Sequence, residues 1–263
     1  MAIIIDKKHS TFTLQTKNST YQMKVDKYGV LLHSYYGEKT DNTDKSLLYY
    51  QADRGFSGNI YEAAKTDRSY SLDSLTQEYS GFGIGDYRIT ALRAQNADGS
   101  QATELRYTSY DIQKGKYAID GLPAVYADDT QSETLVIYLQ DVYSGLEVSL
   151  YYGILEQLDI ITRAVKITNK GKSDITLQKA ASCHLDWEYG DFDFISFYGR
   201  HGMEHNIQRT KVHHGIQSIG SVRGISSHQY NPFVMLCENN ANETIGSCYG
   251  FSFVYSGEFL IEI

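Results

Sequence analysis

Basic residues are in deficit: 24 lysines and arginines stand against 32 aspartates and glutamates, a net charge of −8. A nucleic-acid binder presents a basic face that displaces counterions from phosphates, so DNA and RNA are not expected partners. Long apolar runs are missing. No stretch approaches the length of hydrophobic sequence that crosses a bilayer, and the short run Ile3-Ile4-Ile5 is followed rather than preceded by charge, unlike an export signal. No membrane partner and a cytoplasmic location are the expectation. Cysteine is scarce: Cys183, Cys237 and Cys248 are an odd count without CxxC spacing, so neither a disulfide framework nor a zinc-ligand set is expected, and buried reduced thiols are. Proline is scarcer still. With only Pro123 and Pro232, and no Gly/Ser-rich or charged linker, the 263 residues read as one continuous domain, 1–263, long enough to bury a sizeable core.

What the sequence does have is strand periodicity. Tyr21, Met23 and Val25 alternate with Gln22 and Lys24, and Val148, Leu150, Tyr152 and Ile154 alternate with Ser149, Tyr151 and Gly153. Residues 134–139 are apolar on both faces, as in a strand covered on both sides, and 162–168 form another strand. Asp98-Gly99, Ser144-Gly145, residues 169–172 and Ser256-Gly257 supply turns at hairpin-like intervals. The 23 tyrosines fit a pleated, half-buried surface better than a helix interior. An all-β fold, a large antiparallel β-sandwich, follows. Residues 51–88 are the longest stretch without strand character, and their aromatics predict an ordered loop.

Chemistry is sparse by comparison. Residues 184–193 hold Asp186, Glu188, Asp191 and Asp193 beside Trp187; on a strand, Asp186 and Glu188 would share a face, the arrangement of a carboxylate pair, although alternating acids on a solvated strand are commoner. His201 and His205, with His213, His214 and His228, imitate a metal-ligand spacing, but Gly199, Gly202 and Gly215 interrupt any helix and no HExxH occurs, so hydrogen-bonded structural histidines are the expectation. There is no GxSxG or GxxxxGK[ST]; the glycine-rich 81–86 reads as a tight turn. No metal, cofactor or catalytic residue is expected from the residues themselves.

Several strings resemble the N-terminal domain of the bacterial α-galactosidases of glycoside hydrolase family 36: QADRGFSGN at 51–59, EYSGFGIGDYR at 78–88, GRHGMEHNIQR at 199–209, HHGIQSIGSVRG at 213–224, SSHQYNPF at 226–233 and FVYSGEFL at 253–260. The resemblance implies a galactose-mutarotase-like β-supersandwich, here truncated at its C-terminal end. In the family it is followed by a (β/α)8 barrel, which carries the two aspartates of a retaining mechanism, and a small C-terminal β domain. The parent protein is thereby expected to hydrolyse terminal α-D-galactosyl residues of melibiose- or raffinose-type sugars as a homo-oligomer, a tetramer at full length, and these residues alone to be inactive. The resemblance assigns 51–68 to a loop that completes a neighbouring subunit's sugar pocket: Asp53 accepting hydrogen bonds from sugar hydroxyls, Phe56 an apolar wall, Arg68 holding the loop or facing substrate. The 200–228 segment is expected to lock turns and interfaces by charge-assisted hydrogen bonds. The sequence departs from the family pattern at His205, where arginine is typical, and at Ile60 and Thr76, where prolines often stand. A free-standing carbohydrate-binding or assembly module is the alternative reading.

Overall fold

The computed structural model describes residues 2–53, 55–128 and 130–263. It is all-β, its sheets antiparallel throughout, and the chain falls into two compact units: residues up to Tyr117 with Tyr126–Glu188, and Ala118–Val125 with Tyr189–Ile263.

The first unit contains two four-stranded meanders. One is β1 (Ile3–Asp6), β2 (Thr11–Gln15), β3 (Ser19–Val25) and β4 (Leu31–Glu38); β5 (Leu92–Asn96) pairs apart from it. The other is β6 (Leu105–Lys114), β7 (Ser132–Asp141), β8 (Leu146–Leu155) and β9 (Ile160–Asn169), and β10 (Ile175–Ala180) partners β5. The alternation read in the sequence sets the register. Leu135, Ile137 and Leu139 lie opposite Tyr152, Leu150 and Val148, and this row packs into one core with Leu14, Tyr21, Met23 and Leu31 of the first meander. Tyr21 and Tyr152 bring their ring centroids to 6.2 Å between the two sheets. Strand β7 is buried on its second face as well, where Thr134 and Val136 are both fully shielded, as its continuous apolar run predicts. Ser144-Gly145 makes the β7–β8 turn: the Asp141 carboxylate accepts from the Ser144 amide at 2.7 Å and hydroxyl at 2.6 Å, and Gly145 takes φ 75°.

The described residues of 39–91 form no strand, only a short turn of helix at Ser46–Leu48 and α1 (Tyr61–Ala64). They are ordered by a core of their own, in which Ile60, Ala63, Tyr70, Leu72 and Leu75 cover Val30 and Leu32. The two positions where the resemblance leads to an expectation of proline, Ile60 and Thr76, keep their turns by other means. Ile60 holds φ −57°, the torsion proline would impose, because its side chain is pinned in that core. Thr76 is buried and donates its hydroxyl to the His33 carbonyl at 2.6 Å. Gly81 sits where the chain passes residue 103, and a Cβ there would strike the Thr103 carbonyl oxygen. Gly81→Ala is expected to destabilise the first unit by about 1–3 kcal/mol, read as a lower chemical-denaturation midpoint, whereas Gly99→Ala, whose nearest neighbour is a flexible Gln95 side chain, strains only its own φ of 87°.

The second unit is built on β11 (Phe192–Arg200), β12 (Met203–Lys211), β14 (Tyr230–Glu238) and β15 (Cys248–Ser252) in the order β12-β11-β14-β15, with β13 (Ser218–Ser221) and β16 (Phe259–Glu262) paired separately. Its small core gathers Ile195, Cys237 and Ala241 with Phe197 and Met235. His205 takes the left-handed φ of 57°, beside a register shift between Tyr198 and Arg200. Three expectations need correction. Residues 184–191 are not a strand, since Gly190 and the turn about it delay β11 to Phe192, so Asp186 and Glu188 do not share a strand face. Only Cys237 of the three thiols is buried; Cys183 and Cys248 are exposed because they lie in a loop and at the start of an edge strand. His201 is fully exposed, with Glu204 at 3.9 Å, beyond hydrogen-bond distance, and so is not one of the hydrogen-bonded structural histidines expected.

Candidate functional site

The structure brings together two of the three residues assigned to the 51–68 loop. Arg68 Nε donates to Asp53 Oδ2 at 3.1 Å and Arg68 Nη2 to Asp53 Oδ1 at 2.9 Å, a bidentate pair spanning fifteen positions of sequence. Asp53 Oδ1 also accepts the Gly55 amide at 2.7 Å, turning the chain through Gly55 at φ 59°. Phe56, next along, has a relative exposure of 104%, with its ring held out into solvent. Arg54, part of the same motif, lies outside the described residues.

The base of this loop is tied down. Asn59 donates to the Tyr70 carbonyl, Tyr70 donates its hydroxyl to Asp26 at 2.6 Å, and Lys27 donates to Asp67 at 2.7 Å. The Lys27 ammonium and the Ser69 hydroxyl hold the Asp67 carboxyl down at about 2, and Asp53 raises Arg68 above its ordinary value, so the whole arrangement is charged at neutral pH. Leu47, Tyr50, Tyr61 and Tyr87 are also exposed in residues 39–91. A planar acid–guanidinium pair beside an outward aromatic can grip vicinal hydroxyls and cover an apolar ring face.

Two other polar clusters have different characters. Glu78 is completely buried and receives Arg163 Nη2 at 2.7 Å, the Tyr21 hydroxyl at 2.7 Å from both carboxylate oxygens and the Tyr152 hydroxyl at 2.7 Å, with His33 Nδ1 at 3.4 Å. Burial works to raise the Glu78 carboxyl, but the Arg163 guanidinium, the nearby His33 ring and the bond from Tyr21 outweigh it and hold the group below the usual range. No solvent-borne ligand reaches such a group; it is an interior ion pair between sheets. Sequence reading passed over it, although a lone arginine inside the strand 162–168 and a lone acid at Glu78 before a run of small and apolar residues were its traces. The second cluster fixes the 72–88 loop: Arg88 donates to the carbonyls of Leu72 at 2.9 Å and Leu75 at 2.7 Å and to Asp86 at 2.9 Å, and reaches Asp186 at 3.3 Å. Burial raises the nearby Glu188 carboxyl, with Asp186 adding to the effect.

In the second unit Arg209 does lock turns, as expected, donating to Asp193 at 2.6 Å and to the carbonyls of Ala241 at 2.8 Å and Asn239 at 2.9 Å. Arg200, His201, Arg223, Ser227 and His228 instead line an open pocket of about 570 Å³.

Comparison with known proteins gives these geometries a context. The family model of the glycosyl hydrolase family 36 N-terminal domain matches residues 29–263, across both units. The chain is similar to the bifunctional alpha-galactosidase/sucrose kinase AgaSK of Mediterraneibacter gnavus, 53% identical over 262 residues, covering 100% of this chain and 28% of the relative. It is also similar to the alpha-galactosidase AgaA of Geobacillus stearothermophilus, 40% identical over 264 residues, covering 100% of this chain and 36% of the relative. Among solved structures, the galactosidase domain of AgaSK superposes with a TM-score of 0.94 at 52% identity, covering 99% of this chain and 36% of that one. An AgaA variant in complex with raffinose gives 0.91 at 40% identity, covering 96% and 35%. The chain thus spans 28% to 36% of the length of these relatives. With the family model running over nearly all of its residues and its antiparallel sheets superposing on those of solved galactosidases, the chain belongs to glycoside hydrolase family 36, as an N-terminal domain.

Proposed function

We propose that residues 1–263 serve as one N-terminal domain of an α-galactosidase that removes terminal α-D-galactosyl groups from raffinose- and melibiose-type sugars with retention. In this reading the nucleophile and acid/base carboxylates lie on a barrel outside these residues, about 5–5.5 Å apart as retention requires. The present chain supplies oligomer contacts and, through Asp53, Phe56 and Arg68, the rim of a neighbouring subunit's sugar site in a tetramer. No cofactor, metal, nucleic acid or membrane enters the reaction, which runs in the cytoplasm.

One observation carries this reading: a charged pair and a fully exposed phenylalanine stand on a loop whose base is braced but whose tip the first unit leaves outside its own core. The substrate class is supported by one relative, AgaA, variants of which have been solved in complex with raffinose and with stachyose. Asp53 would accept hydroxyl protons from the sugar while Arg68 keeps its carboxylate oriented; Phe56 would close over the ring's C–H face.

The test uses the complete enzyme. Asp53→Ala is expected to lower kcat/KM for raffinose about 10- to 100-fold, the worth of a charged hydrogen bond in a desolvated site. If the loop acts between subunits, mixing Asp53→Ala subunits with subunits lacking the barrel nucleophile restores activity, because an intact barrel then meets an intact loop. No recovery in such mixed oligomers places the loop in its own subunit's site, and unchanged kinetics in Asp53→Ala removes it from the sugar site altogether.

A further inference from the structure

Strands β14 and β15 place two cysteines directly opposite each other, Cys237 against Cys248 in register. The hydrogen-bond phase of this pair of strands is fixed at both ends. Glu238 donates its amide to the Ser247 carbonyl at 3.0 Å, and Phe253 donates its amide to the Pro232 carbonyl at 2.8 Å. Both bonds belong to the ladder in which even-numbered residues of β14 form the hydrogen-bonded pairs, so Cys237 and Cys248 form a non-hydrogen-bonded pair. Opposed Cα atoms in such a pair are about 4.5 Å apart, inside the window of about 4.4–6.8 Å that a disulfide spans. The two thiols are close enough for each to bear on the other's ionisation. Register slip is blocked because β14 is also paired with β11, where Asp193 faces Cys237.

We propose that Cys237 and Cys248 are a reversible dithiol/disulfide couple, oxidised by low-molecular-weight disulfides of the glutathione class. The two sulfurs differ in access. Cys248 is exposed, whereas Cys237 is buried. Burial and the adjoining Cys248 thiol push Cys237 up to about 12, so Cys248 is the sulfur that meets the oxidant. Its thiolate attacks one sulfur of the small disulfide, forming a mixed disulfide and releasing one small thiolate. Cys237 then attacks the Cys248 sulfur and expels the second small thiolate. The two cysteine protons end on the two released thiols; the protein loses two electrons and the small disulfide gains them. The product staples edge strand β15 and closes the 238–247 connection, which Arg209 already holds through Glu238, Asn239 and Ala241. This couple is independent of the sugar-site reading above.

The native protein is equilibrated across a series of oxidised-to-reduced glutathione ratios, quenched in acid, unfolded, alkylated and peptide-mapped. Cys237 and Cys248 are expected to disappear together as a linked peptide and to return together on reduction, while exposed Cys183 gives only a mixed disulfide. Cys237→Ser should stop at a glutathione adduct on Cys248, and Cys248→Ser should slow the loss of the Cys237 thiol by about tenfold or more, since the remaining sulfur is buried away from the oxidant. A wild-type protein that carries glutathione on Cys248 at equilibrium while Cys237 remains free overturns the proposal. So does a wild-type protein in which neither sulfur reacts at ratios that fully modify Cys183. Both outcomes are read on unmutated protein, so a variant that fails to fold does not shield the claim.

Discussion

Replacing Arg163 by methionine is expected to destabilise the first unit by about 3–5 kcal/mol, because the fully buried Glu78 carboxylate would lose its guanidinium partner. For a unit of this size that is a fall in Tm of about 6–20 °C. The effect is large for a reason of geometry. Glu78 sits where the two meanders face each other, with Tyr21 of β3 on one side and Tyr152 of β8 on the other, so its unpaired charge could not turn out to water. Burial pushes both phenols up, and they stay protonated donors. The double variant Arg163→Met with Glu78→Gln should recover part of the loss, since a neutral amide oxygen still accepts from the tyrosines. A single variant as stable as the parent would mean that the pair contributes nothing to holding the sheets.

The same cluster gives an acid limb to the stability profile. The Glu78 carboxyl is held below its ordinary value of 4.5 in the folded state, so the unfolded chain binds its proton first as pH falls. Its contribution is therefore complete above that ordinary value and is lost as pH drops through it toward the folded pKa. Glu78→Gln should flatten the fall in Tm below about pH 4.5, leaving a residual slope from other depressed carboxyls such as Asp44 and Asp159.

Much of the fold was legible because period-two alternation is a direct consequence of one buried and one open strand face. Strands β3, β7, β8 and β9 fall where alternation or a doubly apolar run places them, and Ser144-Gly145 turns the chain as its residues require. What escaped is long-range. Asp186 and Glu188 are spaced as on one face of a strand, yet Arg88, from a loop about a hundred residues earlier, takes Asp186 as a partner and residues 184–191 stay irregular. Nothing local marks Glu78 as the partner of Arg163, because a buried pair is specified by sheet packing and not by neighbours in sequence. The Cys237–Cys248 juxtaposition depends on the register of a strand pair whose connecting segment, 239–247, has no two-residue hairpin signal. Of the site, Asp53 and Arg68 came from resemblance to family 36; their bidentate contact and the outward Phe56 came from the structure.

The proposed function implies a division of labour: these residues would form scaffold and pocket rim, and the bond-breaking carboxylates would lie outside the roughly one-third of the AgaSK and AgaA chains that this chain matches. The expected difference in activity spans many orders of magnitude, because removing both catalytic carboxylates removes nucleophile and proton donor together. A carbohydrate-binding module would behave differently, holding galactose or raffinose tightly by itself in a calorimeter. The direct measurement is hydrolysis of a chromogenic α-galactoside by residues 1–263 alone, beside a polypeptide extended through the barrel. Turnover by the extended chain and none by residues 1–263 is the predicted result; robust turnover by residues 1–263 would contradict it.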